Sequence, residues 1–430
     1  MAKKVIQPGE YGLSEAALVL NDGSAKDLTP ILESFSFTES IDSVFCTGVI
    51  NIVDAADNLG QVPILGDERV VISFQTPDYS GFEPEEREHS FRITSITSVN
   101  VGADGNGQTA QFGLMDELAY EQYFQSVKST YTDSISDQAQ IIFDETVKNV
   151  KFKTILKYKI NIDETEGVVH DIITGDTPFD AYNHLLGWAY SSNYPSSNFR
   201  LFQNKDGYNF RNLEQIIEDE METRTTKKFI KTRHYKLDPA QAVAGIAADK
   251  AYTIMQFSQK QRSSFFKAAD DGAFNNQVAL LDFTTKRVVK TTKKYDHDAY
   301  KNLRDTVAVS DEWAEKFTEE PNTTNWIYTD GLKLHRPNLV EAMHNKLFFR
   351  HLFQNNTVQL RIPGNSDLTA GQLIKVLVPE TSTKKENRVN DKSMSGHFII
   401  KDITHSFSFR TFYQSIVAVR VGDTELKNEA

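Results

Sequence analysis

The sequence has 430 residues, 39% of them hydrophobic and 11% aromatic, so the chain can bury enough apolar surface to form several domains. Its 59 acidic residues outnumber its 47 basic residues, and the formal charge of -12 argues against tight nucleic acid binding, which needs clustered Lys and Arg. The single cysteine, Cys46, excludes an intrachain disulfide, and its apolar neighbours predict a small core residue. The N-terminus lacks an apolar signal segment and no stretch of about 18 apolar residues occurs, so we expect a cytoplasmic protein without a membrane span.

The first part of the chain has the residue pattern of β-strands. Alternating Phe and Ser, a β-branched run and an apolar run after a glycine predict strands between residues 31 and 75. Further strands are predicted at residues 91–97 and 111–115, and the Asp-Gly and Asn-Gly pairs within residues 102–107 predict a hairpin loop between them. Residues 1–117 are therefore predicted to form one β domain.

The pattern then changes to helical spacing. Ser134 or Ser136 caps a predicted helix, and a Thr-Pro pair at residues 177–178 marks the start of a second helix. The turn at residues 205–207 lies between two aromatic runs and predicts a hairpin. We therefore expect an inserted α+β domain at residues 118–224.

The second half of the chain is predicted to contain a second β domain with its own insertion. Three β runs, at residues 357–362, 372–378 and from 398 onward, carry this prediction, and the polar segment 380–395 predicts a long flexible loop. The fold class is therefore mainly β with α+β insertions. The second β domain is predicted to start at 225–262 and to have its main part at 353–421, followed by a tail at 422–430. The insertion at 263–352 is predicted to contain β structure and a C-terminal helix from 338 to about 352.

An internal repeat links the two β domains. Each copy follows a glycine and a β run, and each precedes a strand predicted to begin at a glutamine, Gln111 or Gln414. Two amphipathic strands can look alike by chance, but the same order of three elements favours duplication of a domain. The matching residues are Phe91, Ile93, Ile96 and Thr97 in the first copy and Phe398, Ile400, Ile403 and Thr404 in the second.

Several segments resemble a known family. The run from Ile31 to Glu68, with Thr47-Gly48-Val49-Ile50-Asn51-Ile52-Val53-Asp54 at its centre, resembles the start of baseplate hub proteins from contractile-tailed phages of the T-even type. Residues 361–372 and 395–400 resemble the second tube domain of the wider family of late-control and VgrG proteins. Residues 199–213 are similar to a hairpin of the intervening domain. The resemblance spans most of the chain and is weak at residues 225–335.

This resemblance implies two β-barrel-like tube domains in each chain and a ring of three chains. Six quasi-equivalent domains would match a sixfold tail tube on one face and a threefold central spike on the other. The implied location is the tail baseplate of a virion, assembled in the bacterial cytoplasm, and the acidic balance fits a channel through which DNA only passes. Because VgrG-type proteins continue into a needle, we expect the spike here to be a separate chain. The implied partners are two further copies of this chain, a trimeric spike protein, tail tube or tube-initiator proteins, the tape measure C-terminus and other baseplate proteins.

No motif in the sequence predicts an enzyme or a cofactor. His344 and His351 are seven residues apart on a predicted helix, but a third metal ligand is missing nearby. The loop that begins at Asp104 has Thr109 and Met115 where a calcium loop needs Gly and Glu. We therefore predict no catalytic residue, no cofactor and no metal site.

Two charged segments and two other functions stay open at this point. Glu214, Glu218, Asp219 and Glu220 could include a glycosidase pair but are typical of the solvated face or end of a short helix. The basic run from Lys286 to Lys294 is typical of an exposed strand. One alternative function is the hub of a type VI or extracellular contractile injection system, which adjacent genes would distinguish from a phage. The other is a peptidoglycan hydrolase of the tail tip.

Overall fold

The protein is mainly β, which confirms the predicted fold class. Among the described residues, thirteen strands belong to one sheet, and three smaller sheets accompany it. The computed structural model describes residues 7–55, 64–101, 108–150, 158–194, 196–238, 247–261, 275–282, 286–294, 323–329, 344–346, 353, 356–380, 390–391, 394–408 and 411–421.

The first β unit contains seven strands in which apolar residues alternate with polar ones. Phe35, Phe37 and Ile50 point into one core, because successive side chains of a strand point to opposite faces of the sheet. The strands are arranged in the order β3-β4-β7-β6-β5-β1-β2, and all neighbours are antiparallel. Their bounds are β1 Gly12–Val19, β2 Ala25–Asp27, β3 Leu32–Ser40, β4 Thr47–Asp54, β5 Arg69–Gln75, β6 Arg87–Val101 and β7 Gln108–Asp116.

An α+β unit follows, with its own core. Ser134, and not Ser136, caps the helix that the sequence predicts there, and Thr177 caps the next helix with Pro178 in its first turn. The predicted hairpin at Gly207 is also confirmed. The bounds are α1 Glu117–Gln122, β8 Val127–Asp133, α2 Ile135–Lys148, β9 Ile160–Ile162, β10 Val169–Asp176, α3 Pro178–Trp188, β11 Phe199–Asn204, β12 Gly207–Asn212, α4 Leu213–Thr223 and α5 Lys227–Thr232.

The rest of the chain forms a second β unit and a small three-stranded sheet. The second unit has the order β14-β18-β21-β20-β19, with β13 parallel to β19, and the small sheet has the order β16-β15-β17. The bounds are β13 His234–Lys236, α6 Ala247–Ala251, β14 Gln256–Gln261, β15 Asn275–Asp282, β16 Arg287–Lys294, β17 Thr323–Thr329, β18 Thr357–Pro363, β19 Leu373–Leu377, β20 Gly396–Ser408 and β21 Thr411–Val421. Of the helices described in this and the other units, none is both long and apolar enough to cross a membrane.

Some sequence predictions can be compared with the structure and others fall outside the described residues. The described part of residues 225–335 is mostly β and also contains two short helices, α5 and α6. The basic run on β16 is exposed from Lys286 to Thr292, as predicted. Residues 344–346 are helical, whereas the rest of the predicted helix at 338–352, the loop at 102–107, most of the loop at 380–395 and the tail at 422–430 lie outside the described residues.

The two β units share their strand order and an irregularity. The first unit has the strand order β3-β4-β7-β6-β5, and the second unit has the order β14-β18-β21-β20-β19. In both units every neighbouring pair is antiparallel. The register of β6 on β7 shifts between Ile93 and Ser95, and that of β20 on β21 shifts between Ile400 and Asp402. Because Ile93 and Ile400 occupy the same place in the internal repeat, both copies bulge at the same position. Amphipathic alternation alone does not produce such a match.

The units are joined by direct strand pairing. β3 of the first unit is antiparallel to the second half of β20, with Thr38 opposite Thr404 and Phe35 opposite Phe407. The Phe35 and Phe407 rings stack with their centroids 5.6 Å apart. The sheet is therefore continuous from β14 at one end to β2 at the other.

A glycine of the second unit lies against a buried ring, and this contact gives a testable prediction. A Cβ atom on Gly364 would overlap the Phe412 ring, which is fully buried and stacks on Phe407 at 4.1 Å. We expect Gly364→Ala to lower the free energy of unfolding by about 1–3 kcal/mol in a urea titration, because the ring has no space to move. Gly187→Ala in α3 is the control, since no atom lies within 4 Å of a Cβ there. It should raise stability by about 0.5–1 kcal/mol, and equal losses in both variants would contradict the prediction.

Candidate functional site

A buried ion pair lies where the two β units meet. Glu39 of β3 is fully buried, and its carboxylate contacts the Arg87 guanidinium and the Thr369 hydroxyl. The backbone N–H of Ala370 donates to Glu39 Oε2 over 3.0 Å, and Arg87 Nη1 donates to the Leu368 carbonyl oxygen over 3.0 Å. Burial raises the pKa of the Glu39 carboxyl, but the Arg87 guanidinium and the hydrogen bonds outweigh burial and hold that pKa well below its usual range. The ionised carboxylate thus joins the first unit to the loop between β18 and β19.

Two buried histidines flank this ion pair. His405 of β20 stacks on Phe37 with ring centroids 4.3 Å apart, and its Nε2 lies 3.6 Å from Glu39 Oε1. Its Nδ1 lies 3.1 Å from the Gln414 side-chain amide. The His89 ring of β6 lies 4.5 Å from the Phe37 ring. Burial lowers the pKa of His405 to about 4 and that of His89 well below its usual value, so both rings are neutral at pH 7.

A second buried carboxyl joins the first β unit to the α+β unit. Asp116, at the end of β7, accepts hydrogen bonds from the Tyr208 hydroxyl over 2.6 Å and from the Gln203 amide over 2.7 Å. Gln203 Oε1 in turn accepts from the backbone N–H of Cys46 over 2.9 Å. Burial raises the pKa of Asp116, although the hydrogen bonds oppose this effect. Cys46 itself is buried, which confirms that it is a core residue.

The other side of the sheet carries hydroxyl and amide side chains at the junction of the two units. The Thr38 and Thr404 hydroxyls lie 2.9 Å apart across the β3–β20 pair. A chain of hydrogen bonds with donor–acceptor distances of 2.8 and 2.9 Å crosses four strands from β6 to β3, through Thr97, Gln111, Asn51 and Ser34. We call this surface the hydroxyl face; its residues are Ser34, Ser36, Thr38, Asn51, Thr97, Gln111, Thr404 and Ser406.

The residues of the internal repeat lie in two separate cores, so the structure does not bring the two sets together. Phe91 and Ile93 belong to the core of the first unit, and Phe398, Ile400 and Ile403 belong to that of the second. Ile96 lies opposite the buried Phe112 but is 41% exposed, whereas its counterpart Ile403 is fully buried opposite Ile416. Thr97 and Thr404 both lie on the hydroxyl face.

The strand starts predicted at Gln111 and Gln414 are wrong. β7 begins at Gln108 and β21 at Thr411, so Gln111 and Gln414 are each the fourth residue of their strand. Thr109 and Ala110 lie opposite Val53 and Ile52 of β4, and these pairs extend β7 beyond the predicted start. The two glutamines nevertheless occupy the same place in their strands.

Sequence reasoning missed the buried ionisable residues, although the sequence carries a signal for them. Glu39 has the same parity along β3 as Phe35 and Phe37, and these residues point to one face of the sheet. Arg87 and His89 likewise have the parity of Phe91 on β6. A charged residue in phase with the apolar residues of a strand indicates a buried, paired charge.

Comparison with solved structures shows which proteins have this fold. The tail protein of Neisseria meningitidis MC58 matches with a TM-score of 0.55 and 11% identity over 96% of this chain and 97% of that chain. The 43 kDa tail protein of prophage MuSo2 from Shewanella oneidensis matches with a TM-score of 0.55 and 11% identity over 94% and 98%. The chain has the fold of these two tail proteins. No protein-family model matches the sequence, and no curated protein is a significant match.

Two of the acidic residues that left a hydrolase open make structural contacts within the fold. Glu214 Oε1 accepts hydrogen bonds from the Ser196 hydroxyl and the Asn198 amide, over 2.6 and 3.0 Å, and burial raises its pKa. Glu220 pairs with Arg233 at 2.7 Å and accepts from the backbone N–H of Leu373. Glu214 lies in the first turn of α4, at the end of a short helix, and both carboxylates are bonded to neighbouring residues. They fasten α4 to its neighbours.

Of the two histidines considered as metal ligands, the structure describes His344. His344 is buried, and its Nδ1 contacts the Asn276 side chain. His351 lies outside the described residues. Across the part of the chain that the structure describes, no three His, Cys, Asp or Glu side chains are grouped so that they could hold a metal ion.

Proposed function

We propose that this chain is a structural hub subunit of a phage tail. Three copies form a ring that joins a sixfold tail tube to a threefold spike, and DNA passes through its centre. The observation that carries this proposal is the pair of β units with one strand order, fused into a continuous sheet by the pairing of β3 with β20. The shared fold of two phage tail proteins supports it.

Two similar units in one chain explain how a ring can have two symmetries. Three copies contain six similar β units, which can contact six tube subunits in comparable ways, while the ring as a whole keeps threefold symmetry for the spike. Contact with six tube subunits in comparable ways requires that the two β units of a chain keep a fixed orientation relative to each other. The Glu39–Arg87 ion pair and its hydrogen bonds to Thr369 and Ala370 hold them together.

The hydroxyl face supports the second part of the proposal, the conduit for DNA. Its Ser, Thr, Asn and Gln side chains carry no formal charge and donate hydrogen bonds to one another. Lys and Arg would bind the phosphates and retain the DNA. We assign the hydroxyl face to the channel wall. Its neutral side chains and the neighbouring Asp402 carboxylate on the same side of β20 would not bind DNA phosphates.

The experiment that tests this proposal is electron microscopy of the purified chain, alone and with the spike protein encoded beside it. We expect a threefold ring with six similar lobes and a central opening, with native mass spectrometry giving three copies of the chain. A stable monomer that does not associate with the spike would contradict the proposal. Cell-wall turnover by the purified chain would favour the hydrolase instead.

A further inference from the structure

One edge of β6 is open at the start of the strand. β7 ends opposite Phe91, so residues 87–90 of β6 pair with β5 alone among the described strands. The N–H of Ile93 donates to the Glu68 carbonyl oxygen on the β5 side. Because the backbone groups of successive residues alternate between the two sides of a strand, those of Glu88 point away from β5, to the open side. They can therefore pair with a further strand.

A cavity of about 190 Å³ lies along this open edge. Residues 85–89 form one of its walls, and the β11–β12 turn at residues 203–208 forms another. Glu86, Glu88 and Asp206 line the cavity and are exposed, so it can be reached from outside the protein. The volume is smaller than the roughly 300–1,000 Å³ of most small-molecule sites, so the cavity suits a single side chain of a partner.

Carboxylates without an ion-pair partner outnumber such cations on the cavity wall. Within the part of the chain that the structure describes, Glu86, Glu88 and Asp206 form no salt bridge. Of the three cations on the wall, Lys159 alone is unpaired, because the other two contact carboxylates. The rim of the cavity therefore attracts a positively charged group.

A buried histidine of the cavity wall also lacks a partner. His89 is 9% exposed, and its Nε2 has no hydrogen-bond partner among the described residues. A buried polar atom without a partner costs free energy. In a neutral ring with its proton on Nδ1, Nε2 is an acceptor, so a hydrogen-bond donor that enters the cavity can supply the missing partner.

We propose that an extended, basic segment of another protein adds to the open edge of β6 as an antiparallel strand, with its backbone bonded to Glu88 and a lysine or arginine opposite Glu88. Directly opposed side chains lie on the same face of a sheet, with Cβ atoms about 4.5–5.5 Å apart. A cation opposite Glu88 therefore contacts its carboxylate, and a cation two residues further along is opposite Glu86. The side chain between them points to the other face, where His89 lies.

The charges of this edge make it selective. Charged residues on an edge strand prevent association with other strands, and the exposed Glu86 and Glu88 repel an acidic segment in this way. A segment with basic residues at alternate positions gains two charge pairs from the same two side chains. The edge thus discriminates between partners by their charge.

Binding of a synthetic peptide tests the site. The probe is a fluorescently labelled peptide of alternating threonine and lysine, titrated with the full chain at low salt and followed by fluorescence anisotropy. We expect saturable binding of one peptide to each chain, and weaker binding at high salt, because salt screens exposed charge pairs. The same peptide with glutamate in place of lysine should not bind.

Two pairs of substitutions separate the site from the overall charge of the chain. Glu86→Gln/Glu88→Gln should weaken peptide binding by about three- to thirtyfold, because it removes both cross-strand charge pairs. The matched control is Glu15→Gln/Glu33→Gln, which removes two exposed carboxylates from β1 and β3 and gives the same net charge. It should leave the affinity unchanged.

A proline at residue 88 tests the strand pairing. Because the N–H of Glu88 points away from β5, Glu88→Pro removes a donor from the open edge only. We expect it to weaken binding about tenfold more than Glu88→Gln does, since one hydrogen bond is lost as well. A urea titration shows whether the variant is folded. If it is not, a peptide with its central amide N-methylated removes a hydrogen bond from the partner's side and should show the same loss.

Several outcomes would overturn this site without affecting the proposed hub. Absence of peptide binding would do so, as would equal weakening by the test and control pairs. Binding that needs the two glutamates but tolerates both the proline and the N-methyl group would contradict strand addition. A change in the number of copies by native mass spectrometry in Glu86→Gln/Glu88→Gln would show that a second copy of this chain, and not another protein, fills the edge.

Discussion

Replacing Glu39 by alanine is expected to lower the free energy of unfolding by about 3–5 kcal/mol, because the change leaves the Arg87 guanidinium buried without its carboxylate. Both side chains are almost fully buried, so water cannot replace the lost partner. The hydroxyl of Thr369 and the backbone N–H of Ala370 lose their acceptor at the same time. A urea titration followed by tryptophan fluorescence measures the loss.

Glu33→Ala is the matched control for this variant. Glu33 lies on the same strand, β3, but its side chain is exposed. Its removal should change stability by no more than about 0.5 kcal/mol. If the two variants lost the same stability, the ion pair would have no special role in joining the β units. A second variant, Glu39→Gln, keeps the shape of the side chain and removes the charge, so its loss isolates the ionic part of the contact.

The local features of this fold could be predicted from the sequence because their causes lie within a few residues. A Thr-Pro pair at positions 177 and 178 is enough to start α3, and Gly207 is enough to close the β11–β12 hairpin. The mainly β class follows from alternation along the strands. In each case the residues that decide the structure are neighbours in the chain.

The junction of the two β units could not be predicted in this way. Thr38 and Thr404 pair across 366 residues of sequence, and nothing in either strand specifies the other. The bulge after Ile93 changes which side chains of β6 point inward, and alternation cannot locate a bulge. The buried Glu39–Arg87 ion pair differs from these features, because the sequence does carry a signal for it. Glu39 is in phase with Phe35 and Phe37 along β3, so its burial could have been inferred.

Acid is expected to lower the free energy of unfolding through the buried histidines beside the Glu39–Arg87 ion pair, and His405 gives the sign of the effect. Burial holds the pKa of His405 near 4 in the folded chain, whereas an unfolded histidine titrates near 6.5. As the pH falls from 6.5 to 4, the unfolded chain binds a proton that the folded chain does not, so stability falls. At about 1.4 kcal/mol for each pKa unit, His405 alone removes roughly 3 kcal/mol. His89 acts in the same direction, because burial lowers its pKa too.

Urea unfolding at pH 7 and at pH 4.5 measures this loss, and histidine variants assign it. His405→Phe keeps a ring to stack on Phe37 and removes the titrating group, so the pH dependence between 6.5 and 4 should decrease, and the contributions of His89 and His234, whose pKa values burial also lowers, should remain. His170→Gln, which removes an exposed histidine of β10 away from the ion pair, is the control variant. Below this window Glu39 adds to the effect: its folded pKa is depressed, so its stabilisation is present above the usual glutamate pKa and is lost as the pH falls further. Equal stability at pH 7 and pH 4.5 would show that the histidines take up protons without disturbing the joint.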